Sequence, residues 1–181
     1  MDRFLIMTIG KTHSGKSTFA KLLEKQLNNS LVIDQDHHAD FINTHYKRLL
    51  PENGPNTLKT SITKSIVEYA VKNTPFHLIL CNANLNRESR LKVLEYYHKK
   101  GFSSILVYFK LPDEVLEQRI ASSSRRTNIF RSASTFQEVL IRQNQANDNS
   151  PCRGEADYLF EIGEPEQAFH VIDEILNRMQ K

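Results

Sequence analysis

Residues 10–17 read Gly10-Lys11-Thr12-His13-Ser14-Gly15-Lys16-Ser17, which is the complete G-x-x-x-x-G-K-[ST] pattern. The apolar, β-prone run Phe4-Leu5-Ile6-Met7-Thr8-Ile9 precedes it, and a stretch of helical composition from Thr18 to Gln26 follows. Strand, glycine loop and helix are the context the motif requires. Glycines at both ends let the backbone curl so that successive N–H groups point inward, as around a phosphate. A helix beginning near Lys16 adds its positive end. The pattern assigns Lys16 to the β- and γ-phosphates of a bound nucleotide and the Ser17 hydroxyl to Mg²⁺. Thr18 follows at the head of the helix.

Bulk properties exclude several classes. The 181 residues suit one domain, residues 1–181, with a single core. A hydrophobic fraction of 39% and a charged fraction of 25% are ordinary for a water-soluble fold. The net charge of +3 is too mild to mark a nucleic-acid-binding surface. The two cysteines, Cys81 and Cys152, match no zinc or disulfide spacing. No apolar run approaches the length of a membrane span, and strand one starts too early to leave room for a signal peptide. A cytoplasmic, reduced setting is expected.

Strands and helices alternate along the chain. Strands are predicted at 3–9, 31–33, 76–81, 104–109 and 158–162. Helices are predicted at 16–28, near 38–49, 57–73, 88–100, 112–121, 135–146 and 165–179. In the 57–73 helix, Leu58, Ile62, Ile66, Tyr69 and Ala70 fall on one face. Residues 50–56 and 146–154 read as loops. Buried strands separated by helices imply an α/β fold, a parallel five-stranded sheet with helices on both faces. With the glycine loop after strand one, this is the three-layer P-loop nucleoside-triphosphate hydrolase fold. Ligands of such sheets sit at the carboxyl ends of the strands, so residues there carry the most information.

Strand two ends in Asp34-Gln35-Asp36. One carboxylate there could accept the proton of an attacking hydroxyl, and the other could hold Mg²⁺ through water. Asp36 could instead cap the helix that follows. His37, His38, Asp40 and His45 lie nearby with no recognised metal-ligand spacing, and exposed helix-start histidines are the expectation. Strand three runs into Asn82-Ala83-Asn84-Leu85-Asn86, whose amides suit either a polar substrate or the bonding that fixes a loop. The usual strand-three acid is replaced by Cys81 and Asn82, which moves the metal role toward Ser17 and Asp34. Arg119, Arg125, Arg126 and Arg131 lie in or beside the polar segment 122–134. Guanidinium groups match phosphate geometry, and this segment is expected to close over a nucleotide as a lid.

Together these residues resemble the small P-loop kinases grouped with polynucleotide kinase and the zeta toxins. The resemblance runs from Thr8 to about Asn144. It rests on the P-loop, Ile33-Asp34-Gln35-Asp36, the segment from Asn84 to Arg90, and the helix leading into the arginines. It implies that Asp36 is the general base and that Arg119 with Arg125 or Arg126 contacts ATP phosphates. The chain departs from those families on the acceptor side. Ala39 stands where polynucleotide kinases carry arginine, Asn82-Ala83 where they carry Asp-Thr, and Cys81 or Asn82 where zeta toxins carry glutamate. His13 fills a loop position usually held by a small residue.

The expected activity is transfer of the γ-phosphoryl group of ATP to a hydroxyl of a small molecule, nucleotide or nucleic-acid end, with Mg²⁺. Lys16, Asp36, Arg125 and Arg126 are the expected catalytic groups, and Arg119 joins residues 10–18 around the nucleotide. The absence of an N-K-x-D segment favours ATP over GTP. The alternative is a nucleotide-binding hydrolase or switch with no phosphoryl acceptor.

Overall fold

The structure is a computed structural model that describes residues 2–146 and 150–179. Five strands, β1 (Arg3–Gly10), β2 (Ser30–Ile33), β3 (His77–Cys81), β4 (Phe102–Phe109) and β5 (Tyr158–Ile162), form one sheet in the order β2-β3-β1-β4-β5. Every pairing is parallel. The helices are α1 (Lys16–Gln26), α2 (Gln35–His45), α3 (Thr57–Asn73), α4 (Arg87–His98), α5 (Asp113–Ala121), α6 (Phe136–Gln145) and α7 (Gln167–Met179).

The strands read as continuous apolar runs because both sheet faces are covered. Alternate residues of β1 divide between two cores. Phe4 and Ile6 pack with Phe19 and Leu23 of α1 and Ile172 and Ile175 of α7. Leu5, Met7 and Ile9 pack with Ala70 and Val71 of α3 and Leu94 and Tyr97 of α4. A smaller cluster of Leu111, Leu116 and Leu140 joins α5 to α6. β1 lies between β3 and β4, so the loop after it opens where the chain order reverses across the sheet.

Three details differ from the sequence reading. The helix expected near 38–49 begins earlier, at Gln35, and ends at His45, with a short 3₁₀ turn at Lys47–Leu49 beyond it. Asp34 caps it, accepting from the Asp36 amide at 2.9 Å. Asp36 therefore lies inside the first turn and is not the cap. On α3 the buried residues are Ala70 and Val71, whereas Ile66 and Tyr69 are 37% and 67% exposed. Of the face read through Leu58, Ile62, Ile66, Tyr69 and Ala70, Ala70 is buried and Leu58 and Ile62 are half-buried, so only Ile66 and Tyr69 lie off the core. The loop expected at 146–154 falls partly outside the described residues, at 147–149. No helix among the described residues is long and apolar enough to cross a membrane.

Candidate active site

The glycine loop hangs between the carboxyl end of β1 and the start of α1. Gly10 has φ 152°, and a Cβ there would stand 2.9 Å from Phe109 Cβ and 3.0 Å from Ser14 Oγ, so a side chain does not fit. Gly15, at φ 100°, is the left-handed residue that starts α1. Three neighbouring side chains brace the loop. Arg119 Nη1 donates to the His13 carbonyl at 3.1 Å, and Gln143 Oε1 accepts from the Thr12 amide at 2.8 Å. Lys11 Nζ pairs with Asp113 at 2.6 Å. The Lys11 ammonium, the Thr12 amide and the Gly10 amide, which donates to the Ala83 carbonyl at 3.0 Å, are therefore occupied by the protein itself.

Lys16 folds back over the loop. Its ammonium donates to the Lys11 carbonyl at 2.5 Å and to Ser14 Oγ at 3.1 Å. Burial, with help from the Arg125 charge, pulls its pKa down to about 8 against the opposing pull of Cys81, Asp36 and Asp34. Carbonyl and hydroxyl contacts are weak compensation for a buried cation, and an anionic phosphate would be a far better partner.

Ser17 Oγ donates to Asp34 Oδ2 at 3.3 Å, and Asp34 is buried. A hydroxyl and a carboxylate oxygen side by side are hard donors that fit Mg²⁺, which keeps several waters and takes its other ligands from phosphate. No cluster of three or more His, Cys, Asp or Glu able to cage a metal occurs among the described residues. The Cys81 thiol lies 3.6 Å from Ser17 Oγ, and burial raises its pKa, so it stays protonated there.

Asp36 points across the site to Arg125, whose Nη2 is 2.6 Å from its Oδ2. Arg125 also lies over the Phe136 ring at 5.2 Å. Arg126 lines the same cavity, and Arg131 instead donates to the Pro51 carbonyl. Between them Asn128 bonds Asp40 and accepts from Asn43. The 122–134 segment therefore lies over α2, held there by polar pairs, while Phe130 packs edge-on against Phe136 at 4.6 Å.

His13 adopts φ 58°, the left-handed conformation that favours glycine. Its ring stands edge-on to Phe136 at 4.6 Å. Nδ1 is 3.0 Å from Thr12 Oγ1, while Nε2 is buried without a hydrogen-bond partner among the described residues. Burial, then the charges of Arg125, Lys16 and Arg119, lowers its pKa, so the imidazole is neutral near pH 7. If Thr12 donates to Nδ1, Nε2 carries the proton and is a free donor beside the loop. Of the histidines near the end of β2, His38 bonds Thr63 at 2.8 Å, and His45 packs with Phe41 and Tyr46.

The asparagine segment is scaffolding. Asn82 Oδ1 accepts from the Gln35 amide, Asn84 donates to the Thr8 carbonyl at 2.8 Å, and Asn86 caps α4. Arg90, 1% exposed, makes a two-point ion pair with Glu155 at 2.5 and 3.2 Å and also bonds the Asn84 and Leu85 carbonyls. Of the two sequence alternatives, loop fixation is the one these contacts describe.

Lys16's neighbours Gly15 and Ser17, with Asp34, Asp36, Arg119, Arg125 and Arg126, border a cavity of about 650 Å³. Its far end is apolar, formed by Leu22, Ile162, Pro165 and Phe169. Sequence reading missed this wall and the Gln143 and Phe136 contacts. The strand-end rule was applied to β1, β2 and β3, and applied to β5 it would have pointed to residues just after Ile162.

No curated protein matches the sequence. Among solved structures, a candidate kinase of Chloroflexus aurantiacus superposes with a TM-score of 0.69 at 16% identity, covering 98% of this chain and 96% of that one. Chaetomium thermophilum Kti12 in complex with ADP-AlF3 gives 0.62 at 17%, covering 96% and 97%. Mycobacterium tuberculosis APS kinase CysC in complex with AMPPNP and APS gives 0.56 at 18%, covering 97% and 99%. At such identities the likeness is one of fold. Sequence adds the family: residues 5–146 match the AAA domain family, the glycine loop and residues 122–134 included, and the chain belongs to that family.

Proposed function

We propose that this protein is an ATP-dependent kinase that moves the γ-phosphoryl group of ATP to a hydroxyl-bearing acceptor. One observation carries the reading: Lys16, Ser17, Asp36 and Arg125 line a single chamber, with phosphate-side and acceptor-side groups facing each other. The acceptor oxygen attacks the γ-phosphorus, a new P–O bond forms, and the bond to the bridging oxygen of ADP breaks. Asp36 receives the hydroxyl proton. Lys16, Arg119 and the free loop amides offset the phosphate charge, and Arg125 and Arg126 close over it. Ser17 and Asp34 are the residues that would hold Mg²⁺, which supplies charge neutralisation of the phosphates when bound. The apolar wall from Leu22 to Phe169 suits the adenine base.

The whole of 1–181 acts in this reading as one catalytic domain, with 122–134 as its lid, in the cytoplasm. Within the P-loop kinases, the finer likeness to polynucleotide kinase and the zeta toxins is supported by Asp36 and the lid arginines. Asn84 and Arg90 add nothing to it, because they are engaged in the scaffold. The test is a transfer screen with γ-labelled ATP against nucleosides, nucleotides, sugars and oligonucleotide ends. Label in one acceptor class, lost in Asp36→Asn, supports the kinase. Label released only as inorganic phosphate, with no acceptor raising the rate, favours the hydrolase alternative.

A further inference from the structure

The chamber holding Asp36, Lys16 and Ser17 has a volume of about 250 Å³. One wall is made by Ile129, Phe130, Val139 and the amide of Gln143. The same four residues line a second hollow of about 380 Å³, so the two adjoin along that wall. Ile129 and Phe130 belong to the lid segment, so an acceptor that reaches both hollows would lie against these two residues.

The second hollow is basic. Lys59, Arg131 and Arg142 line it, and no carboxylate does among the described residues. Arg131 is held by the Pro51 carbonyl, and Arg142 by the Ser132 carbonyl at 2.6 Å and hydroxyl at 3.1 Å, with Glu138 at 3.9 Å. These contacts aim two guanidinium groups and neutralise only part of one. Lys59 is half-buried, and its ammonium has no partner among the described residues. Leu85, Ile129 and Phe130 supply low-dielectric walls beside the three cations, which strengthens their field on anything bound there.

We infer that the acceptor is an anion: besides the hydroxyl delivered to Asp36, it bears a phosphate or carboxylate group held among Lys59, Arg131 and Arg142. This rests on the kinase reading above. A neutral acceptor of the same shape would leave these cations without the counter-charge, and discrimination against it follows from that loss.

The probes are inorganic phosphate and malonate, titrated at constant ionic strength onto protein saturated with AMPPNP and Mg²⁺, so that the glycine loop is already filled. Binding is read from side-chain NMR signals of Lys59, Arg131 and Arg142. Saturable shifts are expected, with affinity lowered about tenfold in Lys59→Ala, the scale of one charge-assisted contact. The stronger of the two responses identifies the anionic group as phosphate or carboxylate. AMPPNP affinity, measured first by calorimetry on both proteins, checks folding and tests the kinase reading separately. No AMPPNP binding sinks that reading and this one with it. AMPPNP binding with non-saturating probe shifts, or with shifts identical in Lys59→Ala, overturns the anionic acceptor alone.

Discussion

Arg125 Nη2 lies 2.6 Å from Asp36 Oδ2, joining residues 89 apart in the chain. The pair links the 122–134 segment to the first turn of α2 directly above the glycine loop. Both side chains are well over a third exposed, so the contact is screened by water and contributes at most about 1 kcal/mol. Such a contact orients Arg125 without locking it. The guanidinium can leave Asp36 for a phosphate, and the carboxylate is then free for an acceptor hydroxyl.

Asp36→Asn is expected to lower phosphoryl transfer by about 10²–10⁴-fold, the usual scale for a general base. ATP affinity should change far less, because the proposed kinase mechanism puts Asp36 on the acceptor side. The check is turnover and AMPPNP affinity on the same preparation. Equal, small effects on both would remove Asp36 from the chemistry.

The lid should open readily without nucleotide. Its described contacts to α2, through Arg125, Asn128 and Asn43, are exposed polar pairs, which stabilise little. Amides of 122–134 are expected to exchange quickly in the free protein and to slow with AMPPNP and Mg²⁺. Replacing Arg125 and Arg126 by alanine should slow transfer while leaving the melting temperature nearly unchanged. High protection in the free protein would mean a fixed element.

Lys16→Ala should abolish transfer and weaken ATP binding. It also has a pH signature. Lysine ionises near 10.5 when exposed and near 8 here, so between those values the unfolded chain holds the extra proton. Stability of the free protein should therefore rise with pH across that window, relative to the variant. Below pH 8 the penalty of the buried charge is fully present, so the nucleotide-free variant should be at least as stable as the parent there. Urea midpoints of both proteins from pH 7 to 10 measure the difference. Parallel curves would contradict the buried ammonium.

Arg90→Ala should destabilise the fold by up to about 3–5 kcal/mol, because it removes the two-point partner of buried Glu155 and leaves it the longer contact to Arg87 Nε at 3.6 Å. Arg90→Lys should recover only part of that, since an ammonium cannot make the two-point contact. Urea unfolding gives the magnitude. AMPPNP affinity of the folded fraction should stay near that of the parent; a selective loss of binding would instead put Arg90 in the site.

The glycine loop, the strand order's ingredients and the arginine-rich segment were legible in the sequence because each is local. Glycine spacing, apolar runs and charge runs are properties of neighbouring residues, and the hydrogen bonding of a loop or strand follows from them. The sequence could also place two carboxylates at the end of β2 and give Asp34 the metal and Asp36 the acceptor, but it could not name their partners. Only folding showed that Asp34 caps α2 and meets Ser17 while Asp36 turns to Arg125. The same holds for Gln143 on the Thr12 amide, 131 residues away, and for Glu155 on Arg90, 65 residues away. These partners are chosen by how helices pack against the sheet, and no local pattern encodes which side chain arrives opposite which. The apolar wall after β5 and the basic hollow beneath the lid belong to this second kind. Each gathers residues from separate elements, and their shared environment exists only once the cores on the two sheet faces have fixed those elements in place.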